Sequence, residues 1–284
     1  MPSGIGVIDL MVGIPDGDRQ EWYQFFTPQL RDAASQTYAF PAQYMFTDVP
    51  PDPSGVDFTD HVLAEMDRFG IERAVVGWTE GRAGRALRDH PDRFIGSLFV
   101  DPNQGMEAVR AIKRAHAEVG IRMVDLFPAG YLPQVPIDHA RMYPIYAACV
   151  EVGIPVAVTV GVPGPRLPLA CQRVELVDQV MYDFPELVLV MKHGGEPWVD
   201  LAVKLLLKWP NLYYATSAFA PKHYPRAIVD FANTRGADKV LYAGYFPMGL
   251  SLERIFAELP HVPLRDQVWP KFLRENAVRV LGLA

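Results

Sequence analysis

Residues 143–161 read Y-P-I-Y-A-A-C-V-E-V-G-I-P-V-A-V-T-V-G. Tyr143 to Val152 is a helical stretch, Gly153 is its stop signal, and P-V-A-V-T-V is a short β-branched strand. A strand this evenly apolar is buried on both faces, as an all-parallel sheet requires. The same unit recurs along the chain. Further strand candidates are G-V-I-D-L-M-V, R-A-V-V-G-W, F-I-G-S-L-F-V, R-M-V-D-L-F, L-V-L-V-M-K, L-Y-Y-A-T-S and K-V-L-Y-A-G-Y, which makes eight in all. Helical stretches fall between them at Phe58–Phe69, Gly105–Val119, Val174–Tyr182, Pro197–Lys208 and Pro225–Thr234, and Gly70, Gly120 and Gly236 are further stops. Eight strand–helix alternations in 284 residues predict an α/β chain folded as a (β/α)8 TIM barrel, a fold of about 250 residues. No linker or low-complexity segment divides it, so residues 1–284 are expected to form a single domain. An insertion over about 16–57, after the first strand, is rich in aromatics and proline, including Trp22, Tyr23, Phe25, Phe26, Phe40, Tyr44 and Phe46. It reads as a lid, an oligomer contact, or an insertion packed on its own barrel.

Composition narrows the function classes. Half of the residues are hydrophobic, 21% are charged, and the formal charge of −6 is spread along the chain. That argues against a nucleic-acid surface. The longest apolar runs, such as Ile154 to Val162, fall short of the ~20 residues of a membrane span. The N-terminus shows no basic region followed by a long apolar one, so no secretory signal is visible. Two cysteines, Cys149 and Cys171, make no disulfide framework and suit a reducing, cytoplasmic setting. Cys149 lies at helical spacing among apolar residues and reads as core.

In such a barrel the chemistry sits where the strands end at their carboxyl side. The search therefore narrows to Leu10–Gly13, Trp78–Glu80, Val100–Asp101, Asp125–Phe127, Thr159–Gly161, His193–Glu196, Thr216–Ser217 and Gly244–Phe246. His193 follows the sixth strand in V-M-K-H-G-G-E-P-W. His61, His90, His116, His139 and His261 lie in helical, flanking or late-loop segments. His223, in S-A-F-A-P-K-H-Y-P, either reaches the site or decorates a helix start.

Four stretches, H-P-D-R-F-I-G-S-L-F-V-D-P, F-P-E-L-V-L-V-M-K-H-G-G, W-P-N-L-Y-Y-A-T-S-A and E-N-A-V-R-V-L-G-L, resemble the amidohydrolase-related family. That branch of the amidohydrolase superfamily includes aminocarboxymuconate-semialdehyde decarboxylase and the resorcylate decarboxylases. The resemblance runs in order from about Val7 to Leu283. It implies a metal held by two histidines of an I-D-x-H-x-H motif on strand one, a histidine ending strand five and an aspartate after strand eight. A histidine on strand six serves as ligand or acid/base. Here Met11 and Gly13 stand at the first two positions, Thr159 at the third and Tyr245 at the fourth, and only His193 remains.

A divalent ion needs three or four converging N, O or S donors. A thioether, a glycine, a threonine and a tyrosine do not supply them at neutral pH, so no metal and no other cofactor is expected. A site rebuilt from His193 with Glu80, Asp101, Asp125 or Glu196 is the alternative. The leading reading is a metal-independent hydrolase or lyase acting by acid/base chemistry on a small carboxylated or cyclic substrate. In it His193 is the acid/base and Tyr245 and Thr159 are the oxyanion or substrate hydrogen-bonding groups. Arg166 or Lys192 is the anion contact, with Asp125, Ser217 and Met11 nearby. Asp9 is given a structural hydrogen-bonding role just below. The rival reading is a catalytically silent companion subunit that stabilises or regulates a metal-bearing homologue. Under either reading a homo-oligomer, or a hetero-oligomer with a homologous subunit, is expected through the aromatic insertion. Elemental analysis of the purified protein should find no stoichiometric divalent ion; close to one zinc, manganese or iron per chain would end the metal-free reading.

Overall fold

The eight expected strands all form and lie side by side in chain order, each parallel to the next. They are β1 Val7–Asp9, β2 Ile71–Gly77, β3 Phe94–Phe99, β4 Met123–Leu126, β5 Val156–Thr159, β6 Leu189–Lys192, β7 Leu212–Ala215 and β8 Val240–Leu241. The helices between them are α1 Phe58–Arg68, α2 Arg82–Asp89, α3 Met106–Glu118, α4 Tyr143–Val152, α5 Leu176–Asp183, α6 Val199–Lys208 and α7 Arg226–Ala232. After β8 come α8 Leu252–Glu258 and α9 Asn276–Val280. This computed structural model describes residues 1–2, 4–17, 23–38, 40, 42–47 and 49–283. Trp22 lies outside the described residues. Among them, no helix is long and apolar enough to cross a membrane.

Strand parity divides the core in two, because successive side chains on a strand face opposite ways. One set fills the barrel: Ile8, Leu10, Val75, Ile95, Met123, Ala157, Val190, Ala215, Leu241 and Ala243. Ala277, Val280 and Leu281, in and just after α9, pack against this set. The alternate set, including Ala74, Val76, Val124, Val156, Val158, Leu189, Met191 and Tyr214, faces the helices. This explains why the strands read as continuous apolar runs rather than alternating ones.

The seam between β8 and β1 is the thinnest part of the wall. It is joined by an isolated parallel bridge, Val12 to Phe246, and by Gly13 N–H donating to the Phe246 carbonyl at 2.9 Å. Asp9, between inward-facing Ile8 and Leu10, reinforces it from the helix side. Its Oδ1 accepts from Met11 N–H at 2.9 Å and from Gly244 N–H at 2.8 Å, so one carboxylate ties the end of β1 to the segment after β8. Gly244 is needed there, since a Cβ would come within 2.6 Å of Asp9 Oδ2. Asp9 is fully buried. Among the described residues its Oδ2 makes no hydrogen bond of good geometry, and neither does the buried Tyr242 hydroxyl beside it. The sequence reading of Asp9 as a structural residue below the site agrees with this geometry.

Among its described residues the insertion forms short 3-10 turns at Thr27–Gln29, Ser35–Thr37 and Gln43–Met45. Side chains pin it to the loops over the barrel mouth. Gln29 Nε2 donates to the Gly130 carbonyl at 2.8 Å, and the Tyr44 hydroxyl donates to the Gly164 carbonyl at 2.8 Å. Arg254 donates to the Thr47 carbonyl at 3.1 Å. Phe26 and Phe40 are almost wholly buried, and burial of that kind contributes about 1.5–3 kcal/mol per ring. Much of the aromatic surface expected at an oligomer contact is therefore spent on the chain's own barrel.

Burial drives the Asp9 pKa up to about 7, against the lowering effect of the Gly244 and Met11 N–H groups and the Tyr242 hydroxyl. With its folded pKa above its unfolded one, the group is stabilising while protonated. That contribution shrinks as pH rises from about 4 to about 7 and then levels off. Across this window the wild type should lose roughly 4 kcal/mol relative to Asp9→Asn, read by denaturant unfolding of both proteins. Parallel stability–pH curves would refute the assignment.

Candidate active site

The carboxyl-terminal ends of the strands open into a cavity of about 1390 Å³. Its lining includes Met11, Asp125, Thr159, Lys192, His193 and Tyr245, so six of the eight residues singled out from sequence share one space. Parity explains the charged ones. Asp125 continues the inward row begun by Met123, and Lys192 the row begun by Val190. The Lys192 ammonium donates to Asp125 Oδ1, forming a close ion pair. The two side chains are 10% and 19% exposed. They come from β6 and β4 and meet across β5, where Thr159 stands opposite Lys192 in register. Charges this sheltered are tolerated only when paired.

His193 should face away from the cavity if strand alternation continued past Lys192. It does not, because the backbone turns left-handed at three consecutive residues, with φ of 64° at His193, 88° at Gly194 and 72° at Gly195. Only glycine enters that region without penalty, and at Gly194 a Cβ would also press within 2.5 Å of the Phe219 ring. The turn brings Lys192 and His193, adjacent in sequence, to the same cavity. Ser217 Oγ accepts from His193 N–H at 3.2 Å and helps hold it. The imidazole is depressed to about 3, first by burial and then by the positive charge of Lys192, against a raising hydrogen bond to the Ser217 backbone. Its Nδ1 is buried without a partner. In the folded chain the His193 imidazole is therefore held in its neutral, hydrogen-bonding form.

Tyr245 meets His193 edge to face, with centroids 6.0 Å apart at 77°, and stacks on Phe46 of the insertion at 5.3 Å and 24°. Burial raises its hydroxyl to about 12, against a hydrogen bond with Tyr23. It therefore stays protonated and able to donate. The insertion thus roofs the cavity through Tyr23 and Phe46.

Two expectations need correction. The Arg166 guanidinium is ion-paired with Asp32 and lies over the Tyr44 ring at 4.7 Å. It is not among the cavity-lining residues, so it braces the insertion and does not clamp a substrate. Ser217 is fully buried and also outside the lining; it supports His193 from behind. His223 does line the cavity, from the turn Pro221–His223. Sequence reading missed Phe99 and Phe219 in the lining, while Trp78, within one of the strand ends searched, does line it. Phe99 was findable, since it stands two residues beyond inward-facing Ser97.

The family's metal does not fit these side chains. Met11 offers a soft thioether, Gly13 nothing, Thr159 a neutral hydroxyl, and Tyr245 a phenol kept protonated. Asp125, the nearest carboxylate, is committed to an ammonium that would itself repel a cation. Of the acids offered for a rebuilt site, Glu80 and Asp101 are not in the lining. Among the described residues no three His, Cys, Asp or Glu side chains converge as ligands.

An amidohydrolase family model matches residues 18–283. Among solved structures, an uncharacterized TIM-barrel protein from Bordetella bronchiseptica superposes with a TM-score of 0.73 at 23% identity, covering 98% of this chain and 99% of that one. The 5-carboxyvanillate decarboxylase of Novosphingobium aromaticivorans, complexed with manganese and a nitrobenzoic acid, gives 0.71 at 18% identity over 99% and 97%. The 4-oxalomesaconate hydratase of Rhodopseudomonas palustris gives 0.63 at 17% identity over 98% and 96%. No curated protein sequence matches the chain. At these identities the structures establish a shared TIM-barrel fold, and the family model, spanning nearly the whole length, shows that the chain belongs to the amidohydrolase family.

Proposed function

We propose that this chain is a metal-independent lyase or hydrolase that acts by proton transfer on a carboxylated, cyclic substrate. The observation that carries the reading is the Lys192–Asp125 pair, set in the floor of an open cavity with His193, Thr159 and Tyr245 around it. A pocket that had merely lost its metal would close on its aromatic side chains; this one stays open. That favours an enzyme over a silent companion subunit. Related folds include a 5-carboxyvanillate decarboxylase and a 4-oxalomesaconate hydratase, whose names point to carboxylated compounds.

Decarboxylation, hydration and hydrolysis share two needs: a donor to developing negative charge on oxygen, and a group that moves a proton. An ammonium has three N–H donors, and Asp125 takes one of those on Lys192. The other two are left for a substrate carboxylate or oxyanion. The Tyr245 and Thr159 hydroxyls add neutral donors. Asp125 accepts a proton from substrate or water, and neutral His193 offers a second acceptor. Two buried free cysteines fit a cytoplasmic, reducing setting.

Turnover of a panel of aromatic carboxylates by chelator-treated protein tests this directly. Lys192→Met alone should lower the rate about 10²–10⁴-fold and also destabilise, because it strands Asp125; losses of ~3–5 kcal/mol are typical of fully buried pairs. The double variant Lys192→Met/Asp125→Leu removes both charges and should keep the fold while remaining inactive. Tyr245→Phe keeps the stack on Phe46 and deletes only the hydroxyl, so it should show a rate defect without a change in Tm. Unchanged turnover in the double variant would sink the proposal.

We also propose self-association through the insertion, where the Tyr44 ring is left partly exposed. Light scattering should report at least a dimer at micromolar concentration; a monomer without a co-purifying partner would count against it.

A further inference from the structure

The cavity is larger than a one-ring acid requires. Its volume of about 1390 Å³ exceeds the roughly 300–1,000 Å³ common for small-molecule sites, and its polarity is unevenly placed. Lys192 and Asp125 form the sheltered ion pair at the floor. At the mouth, Arg254 and Lys222 are both turned to Glu258, at 3.2 and 3.7 Å. Among the described lining residues, Lys192 is therefore the sheltered cation at the floor, with N–H groups beyond the one that Asp125 takes.

Aromatic surface supplies the rest of the wall. Phe25 and Phe99 lie with ring centroids 4.7 Å apart, and Phe127 is 6.4 Å from Phe25. All three line the cavity. Phe99 and Phe25 are 39% and 43% exposed, whereas Phe26 and Phe40 of the same roof are 2% and 1% exposed. The fold thus buries some of these rings and leaves others wet, and the wet ones line the cavity. Contiguous apolar surface of that kind marks a ligand face.

We infer that the substrate is a monocarboxylate on an extended apolar body of at least two fused or linked rings. Its carboxylate is held by Lys192, and its body lies along the wall of Phe25, Phe99 and Phe127. The inference rests on Lys192 as the head-group contact proposed above, and adds to it the size and character of what the head group carries.

Calorimetric titration of the full chain with benzoate, 2-naphthoate and biphenyl-4-carboxylate, beside the three corresponding amides, tests both halves separately. Each two-ring acid should bind roughly tenfold tighter than benzoate, the step that burying about 60 Å² more apolar surface produces. The acids should bind at least about tenfold tighter than their amides, because the amide gives up the charge-assisted contact. Phe99→Ala should erase most of the two-ring gain while leaving benzoate affinity within about twofold; circular dichroism checks that this exposed ring can be truncated without unfolding. Benzoate binding as tightly as the two-ring acids, a gain that survives Phe99→Ala, or no binding by any member overturns the extended-body inference. A preference for two rings that is equal for acids and amides overturns the carboxylate contact at Lys192 and the function built on it.

Discussion

An ammonium enclosed by apolar strands is stable only beside a counter-charge, and Asp125 supplies one to Lys192. Much of the site follows from that pair. It spans from β4 to β6 in front of β5, where a short threonine stands in register with Lys192. Its positive member helps hold His193 neutral and makes the cavity floor hostile to a second cation. Its negative member is no longer free to act as a ligand. The pair leaves the barrel centre polar yet close to neutral, a state suited to reading hydrogen-bonding oxygens and moving protons rather than to gripping a metal.

The barrel that carries this pair is not uniformly strong. β8 has only two ladder residues, and the bonds that join it to β1 are few. Asp9 compensates by accepting from both sides of the seam, at the cost of burying a carboxylate with one oxygen poorly hydrogen-bonded. The residues just after that seam, Met11 and Tyr245, line the cavity. Tyr245 in turn stacks on Phe46 of the roof. Seam, floor and roof are thus linked through a handful of side chains, with the Asp9 carboxylate holding the residue just before Tyr245.

The fold was legible because the strand–helix period repeats eight times and each apolar run belongs to a strand wrapped on both faces. The insertion was legible only as an irregularity: its turns are too short for periodicity, and its partners are loops remote in sequence. Arg166 illustrates the limit. Its loop suggested a substrate clamp, but Asp32, 134 residues away, takes the guanidinium. Lys192 and Asp125 were each singled out, yet their pairing needs the barrel to bring together residues 67 apart. His193 was singled out and does line the cavity, but the lowering of its imidazole was not legible, because burial and the neighbouring ammonium act only in the folded chain. Phe99 shows the reverse case, since strand parity alone places it inward.

The backbone at His193 bears on whether this site is a relic. A non-glycine residue in the left-handed region costs on the order of 1–2 kcal/mol, and it is held here by Ser217 behind it and by two left-handed glycines after it. Relaxing the turn to ordinary strand geometry would return His193 to the helix-facing side and remove it from Lys192's cavity. A packing role alone gives no reason for that conformation, because an imidazole with an unpartnered buried Nδ1 is poor filler. The strain has one visible consequence, which is to present two adjacent polar side chains to the same enclosed space. That consequence is of use to a bound molecule and of none to a barrel that only needs to stay folded.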